Sequence, residues 1–180
     1  MRRLLTCLAL WGFAVVAGAQ EKAPAPAPCL HTETRFHITV PAPYEEASLI
    51  FGPEGERVWA GEEWDPYFLY PLPARDEEGA VFTLHHGPMQ VTWINTAFDL
   101  PGRHIQYVYF LPGVMVTLID LRFQPAGAST GVDVRYARTA LSPDGNEHVQ
   151  EFTRHDQKSG RHWQEGIDAW LAGRKTERHP

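Results

Sequence analysis

The segment at residues 142–171, SPDGNEHVQEFTRHDQKSGRHWQEGIDAWL, constrains the fold more than any other, because it alone carries a long helical period in a chain of short alternating runs and turns. Ser142 suits an N-cap, Pro143 the first helical position, and Asp144 and Glu147 the first turn, where acidic groups meet the positive end of the dipole. Gly173, followed by Arg174 and Lys175, marks the stop. Val149, Phe152, Trp163, Ile167, Trp170 and Leu171 share one face, so the helix needs an apolar partner, and the chain offers a sheet. Asp156, Ser159 and Gly160 occupy the middle of that face, where a plain core helix would carry Leu or Ile. Such a helix either covers a space there or turns Asp156 toward water at the boundary.

The sheet is written upstream. In ETRFHITV, Phe36, Ile38 and Val40 alternate with polar residues, the pattern of a half-buried first strand. Two short helical pieces follow, at residues 44–51 and 54–60, broken by Gly52-Pro53 and closed by Gly61. From Pro66 onward come PYFLYP, AVFTLHH, MQVTWINTAFD, RHIQYVYFL, VMVTLIDLRFQ and TGVDVRYARTAL, separated by turns too short for anything but antiparallel neighbours. One parity carries Met89, Val91, Trp93, Ala97, Ile105, Tyr107, Tyr109, Leu111, Met115, Ile119, Leu121, Phe123, Val132, Val134 and Tyr136. The other carries Gln90, Thr92, Thr96, His104, Gln106, Asp120, Arg122, Asp133 and Arg135, so one face is wet and the other is not. The expected fold is α+β: a curved antiparallel sheet of about seven strands, two short helices after strand 1, and a long C-terminal helix lying in the curl.

A chain of 180 residues suits one domain. Residues 1–19 have the layout of a secretory signal: Arg2 and Arg3, an apolar run from Leu4 to Val16, and Ala17-Gly18-Ala19 as a small-residue cleavage box. Export to the periplasm or outside the cell is therefore expected, with cleavage after Ala19; a retained N-terminal anchor is the alternative. The run is short for a membrane span. Residues 20–32 read as a proline-rich spacer, residues 33–173 as the folded domain and residues 174–180 as a tail. Loss of the leader removes Cys7 and leaves Cys29 alone, so the fold has no internal disulfide to rely on. The formal net charge is -6, and without Arg2 and Arg3 it is two units more negative, which argues against nucleic acid as a partner.

The order of elements resembles the helix-grip fold of the START-like superfamily, which includes pollen-allergen, polyketide cyclase/dehydrase and lipid-transport types. The resemblance covers residues 33–171 and rests on Val58-Trp59, Trp64-Asp65-Pro66, the hairpin at residues 126–134, and TALSPDGNEHV leading into a helix with Trp163 and Trp170. It implies a hydrophobic cavity between sheet and final helix that binds lipids, sterols, polyketides or other apolar molecules; a minority of the superfamily performs cyclisation, aromatisation or hydrolysis.

The residues themselves supply cavity walls more readily than a catalytic signature. Trp93, Tyr107, Tyr109, Phe152 and Trp163 offer large rigid surfaces, and Asn95, Tyr136, Asp156 and Arg138 are placed to orient a polar end. The same aromatics would equally fill a solid core. For catalysis of a cyclase, dehydratase or hydrolase type the candidates are Asp156 and His86, the latter sharing parity with Phe82 and Leu84. No G-x-S-x-G is present, and Ser142 is explained as a cap. His148, His155 and His162 recur every seventh position, about 10 Å apart along a helix, too far to converge on one metal ion. The reading is thus an exported binder of a hydrophobic small molecule or lipid with no cofactor and no metal, and with an enzyme using Asp156 as the alternative.

Overall fold

The computed structural model describes residues 27–86 and 89–177, with His86 and residues 175–177 described by backbone alone. The expected leader, at residues 1–19, lies outside the described residues. In chain order the elements are β1 (His31–Val40), α1 (Tyr44–Ala47), a 3-10 turn (Ser48–Ile50), a second 3-10 turn (Gly55–Val58), β2 (Tyr67–Tyr70), β3 (Val81–His86), β4 (Met89–Asp99), β5 (His104–Leu111), β6 (Met115–Ala126), β7 (Ser129–Ala140) and α2 (Gly145–Glu177). The strands form a seven-stranded antiparallel sheet in the order β1-β7-β6-β5-β4-β3-β2. β2 to β7 form a meander, and β1 closes against β7. The first strand begins at His31 and the last helix runs to Glu177, so each extends past residues 33 and 173, where the sequence pattern places the domain's ends.

Alternation decides which face is buried. Ile105, Tyr107, Tyr109 and Leu111 of β5, and Met115, Ile119, Leu121 and Phe123 of β6, all point into the core, with Val132, Val134 and Tyr136 beside them on β7. The expected parity fails in one strand. In β4 the register against β5 shifts between Asn95 and Ala97, so one extra residue enters and Phe98 packs on the core while Ala97 is only half-buried. Met89, at the outer end of the same strand, is exposed rather than inward.

α2 rests on β1 and β7 and reaches β6. Val149 and Ile167 are fully buried, and Trp163 stands edge-on to Phe36 of β1 with ring centroids 5.4 Å apart. The regular helix starts at Gly145, two residues after Pro143, but the Ser142 hydroxyl still accepts a hydrogen bond from the Gly145 amide at 3.3 Å. Polar ties fix the helix along the edge strand. Asn146 accepts from the Leu30 amide at 2.7 Å, and the Gln164 amide group both accepts from Thr39 N and donates to Thr39 O, each at 2.9 Å. Gln164 thereby satisfies backbone groups that an edge strand would leave open.

Candidate ligand cavity

The segment between α1 and β2 has no regular period, yet it supplies one wall of a cavity. Phe51 is fully buried and packs on Trp59 and Phe123. Two indole N–H groups lock the turns that follow: Trp59 Nε1 donates to Ile50 O at 2.6 Å, and Trp64 Nε1 donates to Pro53 O at 2.9 Å. The second 3-10 turn is held from the β2–β3 loop, where the Asp76 carboxylate accepts from the amides of Glu54 (2.8 Å) and Gly55 (2.9 Å). These bonds fix Trp59, Trp64 and Glu56 at the open side of the sheet.

Between this segment, the concave face of the sheet and α2 lies a cavity of about 260 Å³. Trp59 and Trp64 meet Trp93 (β4), Tyr107 (β5), Ile119 (β6) and Tyr136 (β7), with Ser159, His162 and Trp163 contributed by α2. Its aromatic walls meet at steep angles: 61° between Trp59 and Trp163, 81° between Trp64 and Trp93, 74° between Trp93 and Tyr107, and 76° between Tyr136 and Trp163. The rings box a space instead of stacking it shut.

Glu56 is the acidic residue lining this box. It is 3% exposed, and its Oε1 accepts a hydrogen bond from the Tyr107 hydroxyl at 2.8 Å, which in turn accepts from the Gly52 amide at 2.8 Å. Burial pushes the Glu56 carboxyl from 4.5 up to about 8, against the lowering effect of the Tyr107 and Gly52 hydrogen bonds. The Tyr107 hydroxyl is held well above its ordinary value, by burial first and then by the neighbouring Glu56. A second polar group is left over. Trp93 is 5% exposed, and its indole N–H has no hydrogen-bond partner among the described residues. A buried donor without an acceptor costs about 1–3 kcal/mol, which makes it a feature to be explained.

The candidates named from sequence divide into two groups. Trp93, Tyr107, Tyr136 and Trp163 line the cavity together. Tyr109, Phe152 and Asp156 do not; they enclose Arg138. Arg138 donates from Nε to Asp156 Oδ2 at 2.7 Å, from Nη2 to Asp156 Oδ1 at 2.6 Å, and from Nη1 to Thr117 Oγ1 at 2.7 Å. Its guanidinium lies 5.0 Å from the ring centres of Tyr136 and Phe152 and 5.8 Å from that of Tyr109. A carboxylate held at both oxygens by a fixed cation is not a free acid or base, so the catalytic expectation for Asp156 is corrected to a structural one. Asn95 also stands outside the cavity: it is fully buried, and its Nδ2 donates to Glu77 O at 3.2 Å. The side chain of His86 lies outside what the structure describes.

Sequence reasoning missed Glu56, Trp59 and Trp64 as site residues. Trp59 and Trp64 were noted for the resemblance alone, and Glu56 is one of three Glu within the nine positions from Glu56 to Trp64 of an aperiodic segment. Among the described residues, no three His, Cys, Asp or Glu side chains gather as a metal site, and no helix is long and apolar enough to cross a membrane.

This architecture defines the START-like helix-grip fold, with a curved antiparallel sheet wrapped on one long C-terminal helix. Solved structures carry the same likeness. Norcoclaurine synthase from Thalictrum flavum, solved in complex with dopamine and hydroxybenzaldehyde, superposes with a TM-score of 0.58 at 10% identity, covering 93% of this chain and 97% of that one. Ara h 8.0201 gives 0.55 at 12% identity over 79% and 99%. The di-domain ARO/CYC BexL of the BE-7585A biosynthetic pathway gives 0.56 at 16% identity; the match covers 76% of this chain and 46% of BexL. No protein-family model matches the sequence, and no curated protein matches it.

Proposed function

We propose that this chain is an exported binding protein that holds a hydrophobic small molecule in the cavity between its sheet and α2. The observation that carries the reading is the aromatic box itself, about 260 Å³ of space walled by four tryptophans and two tyrosines. That volume lies just below the usual range of ligand pockets and suits a compact ring system better than a long-chain lipid. Export rests on the leader pattern at residues 1–19. The test is titration with 2-naphthol, an uncharged aromatic probe, followed by tryptophan fluorescence, together with native mass spectrometry of protein purified from its own host. Binding quenches the wall tryptophans, and Ala60→Phe, at the half-buried rim, abolishes the quenching while the fold is kept. Absence of both quenching and added mass would sink the proposal.

A second reading, a proton-transfer enzyme of the cyclase or dehydratase type, is favoured by one observation: Glu56, with its carboxyl near 8, is poised to give or take a proton at the cavity surface. It predicts a turnover that Glu56→Gln abolishes and that Asp156 does not serve directly.

A further inference from the structure

The cavity contains more than apolar walls, and its polar features narrow the ligand. Six rings surround it at steep mutual angles, the arrangement in which a compact cation can lie against several π systems at once. Glu56 lies among these rings, hydrogen-bonded to a tyrosine and with no Lys or Arg among the cavity-lining residues. Arg138, the nearby buried cation, is fully committed to Asp156 and Thr117. An aromatic box and a carboxyl without a cation are complementary to one kind of molecule.

We infer that the cavity takes a small organic ammonium ion, with Glu56 as its counter-charge and the tryptophan and tyrosine rings as its cage. The inference rests on the binding function proposed above and supplies the chemical class of its ligand. Before binding, burial keeps Glu56 protonated up to about pH 8. A cation entering the box favours the carboxylate, so binding releases a proton, and affinity rises with pH close to tenfold per unit until it levels near 8. The other groups facing Glu56 are Tyr107 on β5, Tyr136 on β7, Asp76 from the β2–β3 loop and His162 on α2. Both tyrosines are held above their ordinary values by burial. Asp76 is raised by burial but keeps two backbone donors, from Glu54 and Gly55. His162 is separated by substitution.

The experiment is calorimetric titration of the protein with choline, a permanent cation with one hydroxyl, and with 3,3-dimethylbutan-1-ol, its uncharged isostere, between pH 6 and 9. Choline is expected to bind at least tenfold more tightly than the isostere at pH 8.5 and to show the rising pH profile. Glu56→Gln should flatten that profile, and His162→Gln should keep it. The inference is overturned if the isostere binds as tightly as choline at pH 8.5, if choline affinity is flat or falls with pH, or if His162→Gln removes the slope. Should Glu56→Gln fail to fold, the choline and isostere profiles of the unaltered protein decide alone. Binding of 2-naphthol without choline would overturn the cation class and leave the binding function standing; failure of both probes would overturn the two together.

Discussion

Two carboxyl groups are buried in this molecule to nearly the same degree, Glu56 at 3% exposure and Asp156 at 4%, and their surroundings are opposite. Asp156 meets the Arg138 guanidinium with both oxygens, and the aromatic rings of Tyr109, Tyr136 and Phe152 seal the pair. Glu56 meets a tyrosine hydroxyl and an open space. Burial alone therefore does not mark a functional acid; the partner does. A carboxylate matched to a cation is consumed in holding β7 to α2, whereas a carboxyl without a cation stays available to whatever enters the cavity.

The largest effect should come from breaking the matched pair. Asp156→Asn leaves the Arg138 charge buried without a counter-ion, and the expected loss is about 3–5 kcal/mol of stability. Chemical denaturation measures it. Replacing both partners, as Asp156→Leu with Arg138→Met, should recover most of that loss, because no charge remains to be desolvated. A single substitution with no stability cost would show that the pair is not structural, and the contrast with Glu56 would collapse.

Glu56 should reveal itself through pH. Its carboxyl is raised in the folded protein, so the folded state holds a proton that the unfolded chain has released. Its contribution is complete below about 4.5 and is lost as pH rises toward 8. Within that window stability should fall by up to about 1.4 kcal/mol per pH unit on this account. Glu56→Gln cannot ionise and should lack this component, so the two proteins diverge as the solution becomes alkaline. Parallel pH profiles of the melting temperature would mean that Glu56 is not in the environment described.

Why one carboxyl was legible in the sequence and the other was not follows from the same contrast. Asp156 stood out because it interrupts the apolar face of a periodic helix, and the alternation of β4, β5 and β7 brought out Trp93, Tyr107 and Tyr136. The sheet, its antiparallel order and the closing helix were readable for that reason. Glu56, Trp59 and Trp64 lie on turns, where no period reports which side a residue faces. Their position depends on long-range bonds, from Asp76 to the 3-10 turn and from Tyr107 to Glu56. The bulge between Asn95 and Ala97 was hidden too, since one inserted residue changes parity without altering composition.

Closer packing of α2 separates the two regions further. Gly166 lies against the backbone of Trp59, where an added Cβ would fall 2.6 Å from the carbonyl oxygen. Gly166→Ala must move a cavity wall, a cost of about 1–3 kcal/mol that the better helix propensity of alanine, about 1 kcal/mol, only partly offsets. A net loss on the order of 1 kcal/mol is expected, with weaker 2-naphthol binding. Asp156 lies ten positions earlier on the helix, and its pairing should be unaffected, so the same variant should not add to the loss caused by Asp156→Asn beyond simple additivity.

The smallest effect on stability is expected at the rim. His162 is exposed yet lines the cavity from α2, and it is the third of the histidines spaced at seven residues. Its neighbours in that series, His148 and His155, carry no cavity wall, so they serve as controls for position on the helix. His162→Ala should change the melting temperature by little, within about 0.5 kcal/mol, as surface substitutions do. Its effect should appear instead in the rate at which 2-naphthol enters and leaves, measured by stopped-flow fluorescence, while His155→Ala leaves that rate unchanged. Equal rates in both variants would place the entrance away from α2, on the side bounded by Ala60 and Trp64.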